Sequence, residues 1–254
     1  MNDLFSLAGR TALVTGGSRG IGRMIAEGFI AQGAKVYITA RKAPACIETA
    51  KQLSEHGTCI ALPIDVSTVE GAHALADAYR AHEKSLDILV NNAGAAWGEE
   101  FDTYPEKGWD KVVDLNMKTP FFLTQALIGE LRLAGQTRLA KVINIASIDG
   151  ISMAHLETYA YGASKAGVIH LTRRMALRLI GDRIAVNAIA PGAFASDMNR
   201  DARDHGDVLA TRIPAGRIGV PEDMAGAAIY LASRAGDYVV GATLVVDGGV
   251  THAR

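Results

Sequence analysis

Tyr161 and Lys165 stand four residues apart in the run Tyr161-Gly-Ala-Ser-Lys165. On a helix, residues four apart share a face, so this spacing sets a phenol beside an ammonium. A cation favours phenolate over phenol, and Lys165 is therefore expected to draw the Tyr161 pKa below its ordinary value of about 10. A shift of about 3 units corresponds to about 4 kcal/mol of differential interaction. Such a phenol gives or takes a proton near neutral pH, which is general acid–base chemistry. Taken alone, the five residues fit an ordinary surface helix at least as well, so the decision falls to the elements around them.

The first of those elements is a glycine loop. Ala12-Leu-Val-Thr15 is a short apolar run that reads as a buried strand. Thr15-Gly-Gly-Ser-Arg-Gly-Ile-Gly22 follows, and then Ile21, Ile25 and Phe29 recur every four residues as a helical stripe. Strand, glycine loop and helix in that order form a phosphate site: glycines let the backbone approach, and the free N–H groups of the helix end face the anion. The spacing is Gly16-x-x-x-Gly20-x-Gly22, which differs from the G-x-G-x-x-G fingerprint. A tight turn is the alternative for the loop on its own.

Lys35 to Thr39 reads as the second strand. An acid at its end would accept from the ribose 2′-hydroxyl of NAD. Here Thr39-Ala40-Arg41-Lys42 offers no acid and two cations. Arg19 is expected to reach the same region. Arginine suits a 2′-phosphate, since its fork of donors matches the oxygens, so NADP is expected over NAD. The third strand, Cys59 to Pro63, leads to Asp65-Val66, placed for an adenine edge. Ile88 to Asn91 is the fourth, followed by Asn92-Ala93-Gly94, where Gly94 permits close backbone approach at a strand's C-terminal end.

Helices are expected from Pro44, from Thr68 to Lys84 and from about Pro105 to Leu133. Asn116 lies inside the last of these, where its side chain competes for backbone bonds; it reads either as a surface residue or as the mark of a local irregularity. Lys141 to Ile145 is the fifth strand, with Ser147 just beyond. The helix carrying Tyr161 runs from about Tyr159 to Ile180, burying Val168, Leu171, Met175 and Leu179. Ala185 to Ile189 is the sixth strand and leads to Pro191-Gly192. Residues 193 to 219 are polar, without clear period and long for a loop, so a mobile lid is expected. Pro221 opens the last helix, and Thr243 begins the seventh strand. This alternation predicts one doubly wound parallel α/β sheet of about seven strands with helices on both faces, in one domain.

The 254 residues are 49% hydrophobic, enough for a large core, and 26 basic against 27 acidic residues leave no basic surface for nucleic acid. The seven His have no metal-ligand spacing, and Cys46 and Cys59 make no disulfide framework. No run is long enough to span a bilayer, and the first residues lack the pattern of a signal peptide. A soluble cytoplasmic protein with no metal is expected.

These motifs together resemble the short-chain dehydrogenase/reductase family over essentially the whole chain. The resemblance rests on Thr15-Gly16-x-x-x-Gly20-x-Gly22, Asp65-Val66, Asn91-Asn92-Ala93-Gly94, Asn116, Ser147, Tyr161-x-x-x-Lys165 and Pro191-Gly192, in that order. It implies a Rossmann domain that moves hydride between a nicotinamide and a ketone or alcohol. In that setting Tyr161 is the acid or base, Ser147 polarises the carbonyl, Lys165 lowers the Tyr161 pKa and holds the nicotinamide ribose, and Asn116 keeps a water behind Lys165. Gly16, Ser18, Arg19, Gly20, Ile21, Gly22, Arg41, Asp65, Val66, Asn92, Ala93, Gly94, Pro191, Gly192 and Ser196 are the implied cofactor contacts, with Tyr161 and Lys165. Tyr159 invites the acid role too, but Ala163 stands four residues on.

Within the family, the chain is similar to 3-oxoacyl-thioester reductases, which implies an acyl carrier protein or CoA thioester as substrate carrier and assembly into a dimer or tetramer. Carrier docking in those enzymes uses two arginines; Arg138 matches one, while Asp182, with Arg183 beside it, stands at the other. A sugar, cyclic alcohol or other hydroxylated ketone is the alternative substrate. Ile148, Asp149, Met153, His155 and Trp97 are candidate pocket residues, and Asp149 suits a hydroxylated substrate. The alternative of another class is a non-catalytic dinucleotide-sensing regulator, which does not require Tyr161 or Lys165.

Overall fold

A computed structural model of the chain describes residues 3–153 and 156–253. The candidate pocket residue His155 lies outside the described residues. Seven parallel strands, β1 (Thr11–Thr15), β2 (Lys35–Thr39), β3 (Cys59–Leu62), β4 (Ile88–Asn91), β5 (Ala140–Ile145), β6 (Ile184–Pro191) and β7 (Thr243–Val246), form one sheet in the order β3-β2-β1-β4-β5-β6-β7. Helices connect them: α1 (Gly20–Ala31), α2 (Ala43–Leu53), α3 (Val69–Arg80), α4 (Glu106–Val113), α5 (Thr119–Ala126), α6 (Ile128–Thr137), α7 (Tyr159–Leu179), α8 (Arg200–Asp204), α9 (Gly206–Ala210) and α10 (Pro221–Ala232).

The central strands are buried almost throughout and mostly apolar because both faces of the sheet are covered. Alternate side chains serve opposite cores. Val14, Ile38 and Val90 pack with Ile25 and Phe29 of α1 and Leu231 of α10. Leu13, Leu89 and Val142 pack with Leu75 of α3, Leu123 of α5 and Met175 of α7. The strand order reverses between β1 and β4, and the C-terminal ends of the strands beside such a reversal form the crevice where open α/β sheets bind ligands. Among the described residues, no helix is long and apolar enough to cross a membrane.

The expected helix from Pro105 to Leu133 is not continuous. Asp114–Lys118 widens into a π-turn carrying Asn116, which bears out an irregularity there. The helix breaks again at Leu127 (φ −99°, ψ 12°), where the Arg80 guanidinium takes the Ala126 carbonyl. Residues 193–219 hold the two short helices α8 and α9. Both ends of the segment are tied together: Gly219 N–H donates to Ala193 O at 2.9 Å, and Phe194 bridges Gly219 in parallel.

A buried polar ladder crosses the sheet. Asn91 and Asn144 stand in register on β4 and β5. Asn91 Nδ2 donates to Asn144 Oδ1 at 2.8 Å, and Asn144 Nδ2 to Thr172 Oγ1 on α7 at 2.9 Å. Bonded polar groups in a dry interior demand one geometry, so α7 is held at a fixed height against the strand ends that form the crevice.

Candidate active site

The loop after β1 and the loop after β4 grip each other. Thr15 Oγ1 donates to Val90 O at 3.2 Å and accepts from Asn92 N and Ala93 N, each at 2.9 Å. Asn92 Nδ2 donates to Thr15 O at 2.8 Å. These contacts require glycine: a Cβ at Gly22 would stand 2.4 Å from Gly16 O and from Asn92 Nδ2. Gly16 and Gly20 adopt φ of 66° and 52°, the left-handed region glycine enters freely. No side chain caps α1, and its first turn holds no acid. The N–H groups of Gly20, Ile21 and Gly22 therefore end in an uncapped helix terminus inside a cradle too tight for side chains, which fits the pyrophosphate of a dinucleotide.

Ser18 presents its carbonyl to Thr49 Oγ1 of α2 at 2.9 Å, holding the loop against the region that follows β2. Arg41 is exposed at the end of β2. Arg19 does not join it, contrary to expectation: its guanidinium pairs with Asp197, which also binds Arg203 at 3.0 Å. A carboxylate distant in sequence wins because it sits opposite the loop while the Arg41 region offers only like charge. Arg41 and Lys42 are left as the cations at the end of β2. Asp65 lies exposed beyond β3, where its Oδ1 accepts from Ser67 N at 3.0 Å, and Val66 is buried beside it.

Proton-transfer candidates converge at the ends of β4 and β5. Ser147 is extended (φ −165°) and caps the one-turn helix Ile148–Gly150 by accepting from Asp149 N at 3.2 Å. Tyr161 and Lys165 lie on the first turns of α7, with Lys165 Nζ 5.6 Å from the Tyr161 ring centroid. The expected depression of the Tyr161 pKa is reversed. Burial raises it, the Ser147 hydroxyl pulls it down as a donor, and the Asp149 charge raises it further. The Lys165 ammonium is itself buried and turned to the Ile145 carbonyl at 2.7 Å. That burial lowers the Lys165 pKa to about 8.

Asn116 is 2% exposed and fully engaged. Its Oδ1 accepts from Ala95 N at 2.8 Å, and its Nδ2 donates to Ala95 O at 2.9 Å and to Ser164 Oγ at 3.0 Å. The side chain thus pins the Asn92–Gly94 loop to α7. A Cβ at Gly94 would lie 3.1 Å from Asn116 Oδ1 and 3.7 Å from Lys165 Nζ, so these three positions share one small space. Ser164, which completes the Asn116 bonds, was not singled out as a site residue; its signal was its place inside the Tyr161–Lys165 run.

Tyr159 stands apart from this group. Its hydroxyl meets Glu157, and its ring lies edge-on to Phe101 and Tyr104 at 5.5 and 5.6 Å. Met153 is 98% exposed at the same rim, and Trp97 packs under Lys111. Pro191 closes β6 opposite Val246, and Gly192 N donates to Val246 O at 2.9 Å. Ser196 touches the glycine loop, since a Cβ at Gly20 would lie 3.3 Å from Ser196 Cβ. A cavity of about 290 Å³ opens at the foot of the 193–219 segment, between Phe194, Ile213 and Asp247. None of the proton-transfer side chains lines it.

A family model described as Enoyl-(Acyl carrier protein) reductase matches residues 16–251. The rhamnolipids biosynthesis 3-oxoacyl-(acyl-carrier-protein) reductase of Pseudomonas aeruginosa is 49% identical over 253 residues, covering 98% of this chain and 99% of that protein. The 5-keto-D-gluconate 5-reductase of Escherichia coli is 37% identical over 259 residues, covering all of both. Among solved structures, the Pseudomonas aeruginosa RhlG/NADP active-site complex superposes with a TM-score of 0.95 at 48% identity, over 99% of this chain and 100% of that one.

Proposed function

Because the chain belongs to the short-chain dehydrogenase/reductase family, we propose that the cluster on α7 reduces a ketone with NADPH and that the ketone is a 3-oxoacyl thioester. The chain is an NADP-dependent oxidoreductase. The observation that carries the substrate reading is the pairing of Ser147 and Tyr161 beside the uncapped glycine cradle, in a chain 49% identical over nearly its full length to a 3-oxoacyl reductase.

The nicotinamide supplies the hydride when bound. The chain supplies the proton and the geometry. Ser147 and the Tyr161 phenol bind the carbonyl oxygen, and Tyr161 gives up its proton as that oxygen becomes an alkoxide. A phenol whose pKa burial raises holds at neutral pH the proton that reduction consumes. Lys165 presents a cation beside the ribose position, and Asn116 holds the Asn92–Gly94 loop against it. Residues 193–219 close over the substrate as a lid, a reading supported by their tied ends. The remaining contacts follow the same crevice: Gly16 to Gly22 at the pyrophosphate, Asp65 and Val66 at the adenine, Pro191, Gly192 and Ser196 along the nicotinamide.

Arg41 carries the preference for the 2′-phosphate. Arg41→Asp is expected to raise the Kd for NADPH at least about tenfold, the loss of one charge-assisted contact, and to leave NADH binding unchanged or tighter. Fluorescence titration of the two cofactors decides it; equal losses for both would remove Arg41 from this role.

A ketone panel with NADPH tests the substrate. Turnover of acetoacetyl thioesters above hydroxylated and cyclic ketones is the expected result. No turnover of any 3-oxoacyl thioester sinks the reading and leaves the sugar ketones, which the 37% identity to a 5-keto-D-gluconate reductase favours next. An arginine pair does not support carrier docking here. Arg138 donates to Gly9 O at 3.2 Å, Arg183 to Gly135 O at 2.7 Å, and Asp182 binds Arg132 at 2.9 Å. A homo-oligomer is proposed through the α4–α6 and α7 faces and β7, supported by the exposure of Trp109, Phe121 and Leu177.

A further inference from the structure

The one-turn helix Ile148–Gly150 begins at Ser147, so its second position lies one step from the hydroxyl that meets the carbonyl. Asp149 stands there. The turn is wedged against α7: a Cβ at Gly150 would lie 2.6 Å from the Lys165 carbonyl carbon, and one at Gly162 would lie 3.4 Å from Asp149 O. The Asp149 carboxyl is half-buried. Among the described residues it has no ion-pair or hydrogen-bond partner; only its backbone N–H is bonded. The Lys165 ammonium turns to Ile145 O instead. Burial raises the Asp149 pKa, with no cation among the described residues offsetting it, and the Tyr161 phenol feels its charge.

We propose that Asp149 is a specificity-determining residue that admits neutral ketones to the Ser147–Tyr161 pair and disfavours small keto-acids. The proposal rests on that pair being the carbonyl site. A carboxylate approaching an uncompensated carboxylate meets its charge or brings in a proton, and either lowers affinity. At about 6 Å and an effective dielectric of about 20, the repulsion corresponds to about a hundredfold in binding. Neutral thioesters and neutral hydroxylated ketones both pass this filter; keto-acids of the aldonate kind do not.

The test uses two matched pairs with NADPH: ethyl acetoacetate against acetoacetate, and L-sorbose against 5-keto-D-gluconate. The wild type is expected to favour the neutral member of whichever pair it reduces by about a hundredfold in kcat/KM. Asp149→Asn is expected to narrow that ratio at least about tenfold, through KM for the anion, while Asp149→Glu keeps it. A loss of folding lowers both members of a pair alike, so the ratio isolates charge. Wild-type enzyme that takes the anion as readily as its neutral partner overturns the proposal, as does an Asn variant with an unchanged ratio. Reduction of the sugar pair alone, with the ratio intact in the wild type and lost in Asp149→Asn, supports Asp149 and removes the thioester reading.

Discussion

Tyr161→Phe lowers kcat for ketone reduction by about a thousandfold, within the range of about 10² to 10⁴ that one positioned proton donor contributes. The phenyl ring keeps the volume at the first turn of α7, and the only group lost is the hydroxyl that faces Ser147. NADPH affinity and the thermal midpoint are expected to stay near wild-type values, because the glycine cradle and the Asn116 bonds do not involve that hydroxyl. Steady-state kinetics alongside a cofactor titration checks this. A Phe variant with full turnover refutes the assignment of Tyr161 as the acid, and Tyr159, held by Glu157 and its ring neighbours, has no geometry to replace it.

Lys165→Met removes a buried charge, and its effect on stability depends on pH in a defined direction. The folded protein releases the Lys165 proton at about pH 8, and the unfolded chain releases it near the reference value of 10.5. Below pH 8 both states are protonated, and the folded state bears the whole penalty of the buried ammonium. Between 8 and 10.5 the unfolded chain binds more protons, so wild-type stability rises with pH. The total is on the order of 3 to 4 kcal/mol, at about 1.4 kcal/mol per pH unit across that window. Urea midpoints of both proteins from pH 7 to pH 10 are therefore expected to diverge in the wild type's favour as pH rises, most of that difference appearing above pH 8. Parallel curves would contradict it. The Met variant loses reductase activity at every pH, which separates the group's chemical role from its burden on the fold.

The architecture was legible because its signals are local. Apolar runs ending in glycine mark buried parallel strands, and Ile21, Ile25 and Phe29 mark the face of α1 turned to the sheet. Asn116 was legible only in part: an asparagine within a helix marks an irregularity, and the π-turn is there, but its burial and its bonds to Ala95 and Ser164 overturn the surface reading and needed the fold. The direction of the Tyr161 pKa was not legible, since spacing reports the distance to Lys165 and says nothing of how much water either group loses. Arg19 illustrates the same limit. Its partner Asp197 is 178 residues away in the chain, and only the folded segment brings them together. The pairing of Asn91 with Asn144 was not legible either, since it needs the register of β4 against β5.

The tie between Ala193, Phe194 and Gly219 has an evolutionary consequence. A segment whose two ends are joined at the sheet can change length or composition without disturbing the frame that holds Ser147 and Tyr161. Doubling such a loop adds only about 0.6 kcal/mol of closure entropy. The length between the ties is thus open to change, with Ser196 and Asp197, which meet the glycine loop, as the fixed points within it.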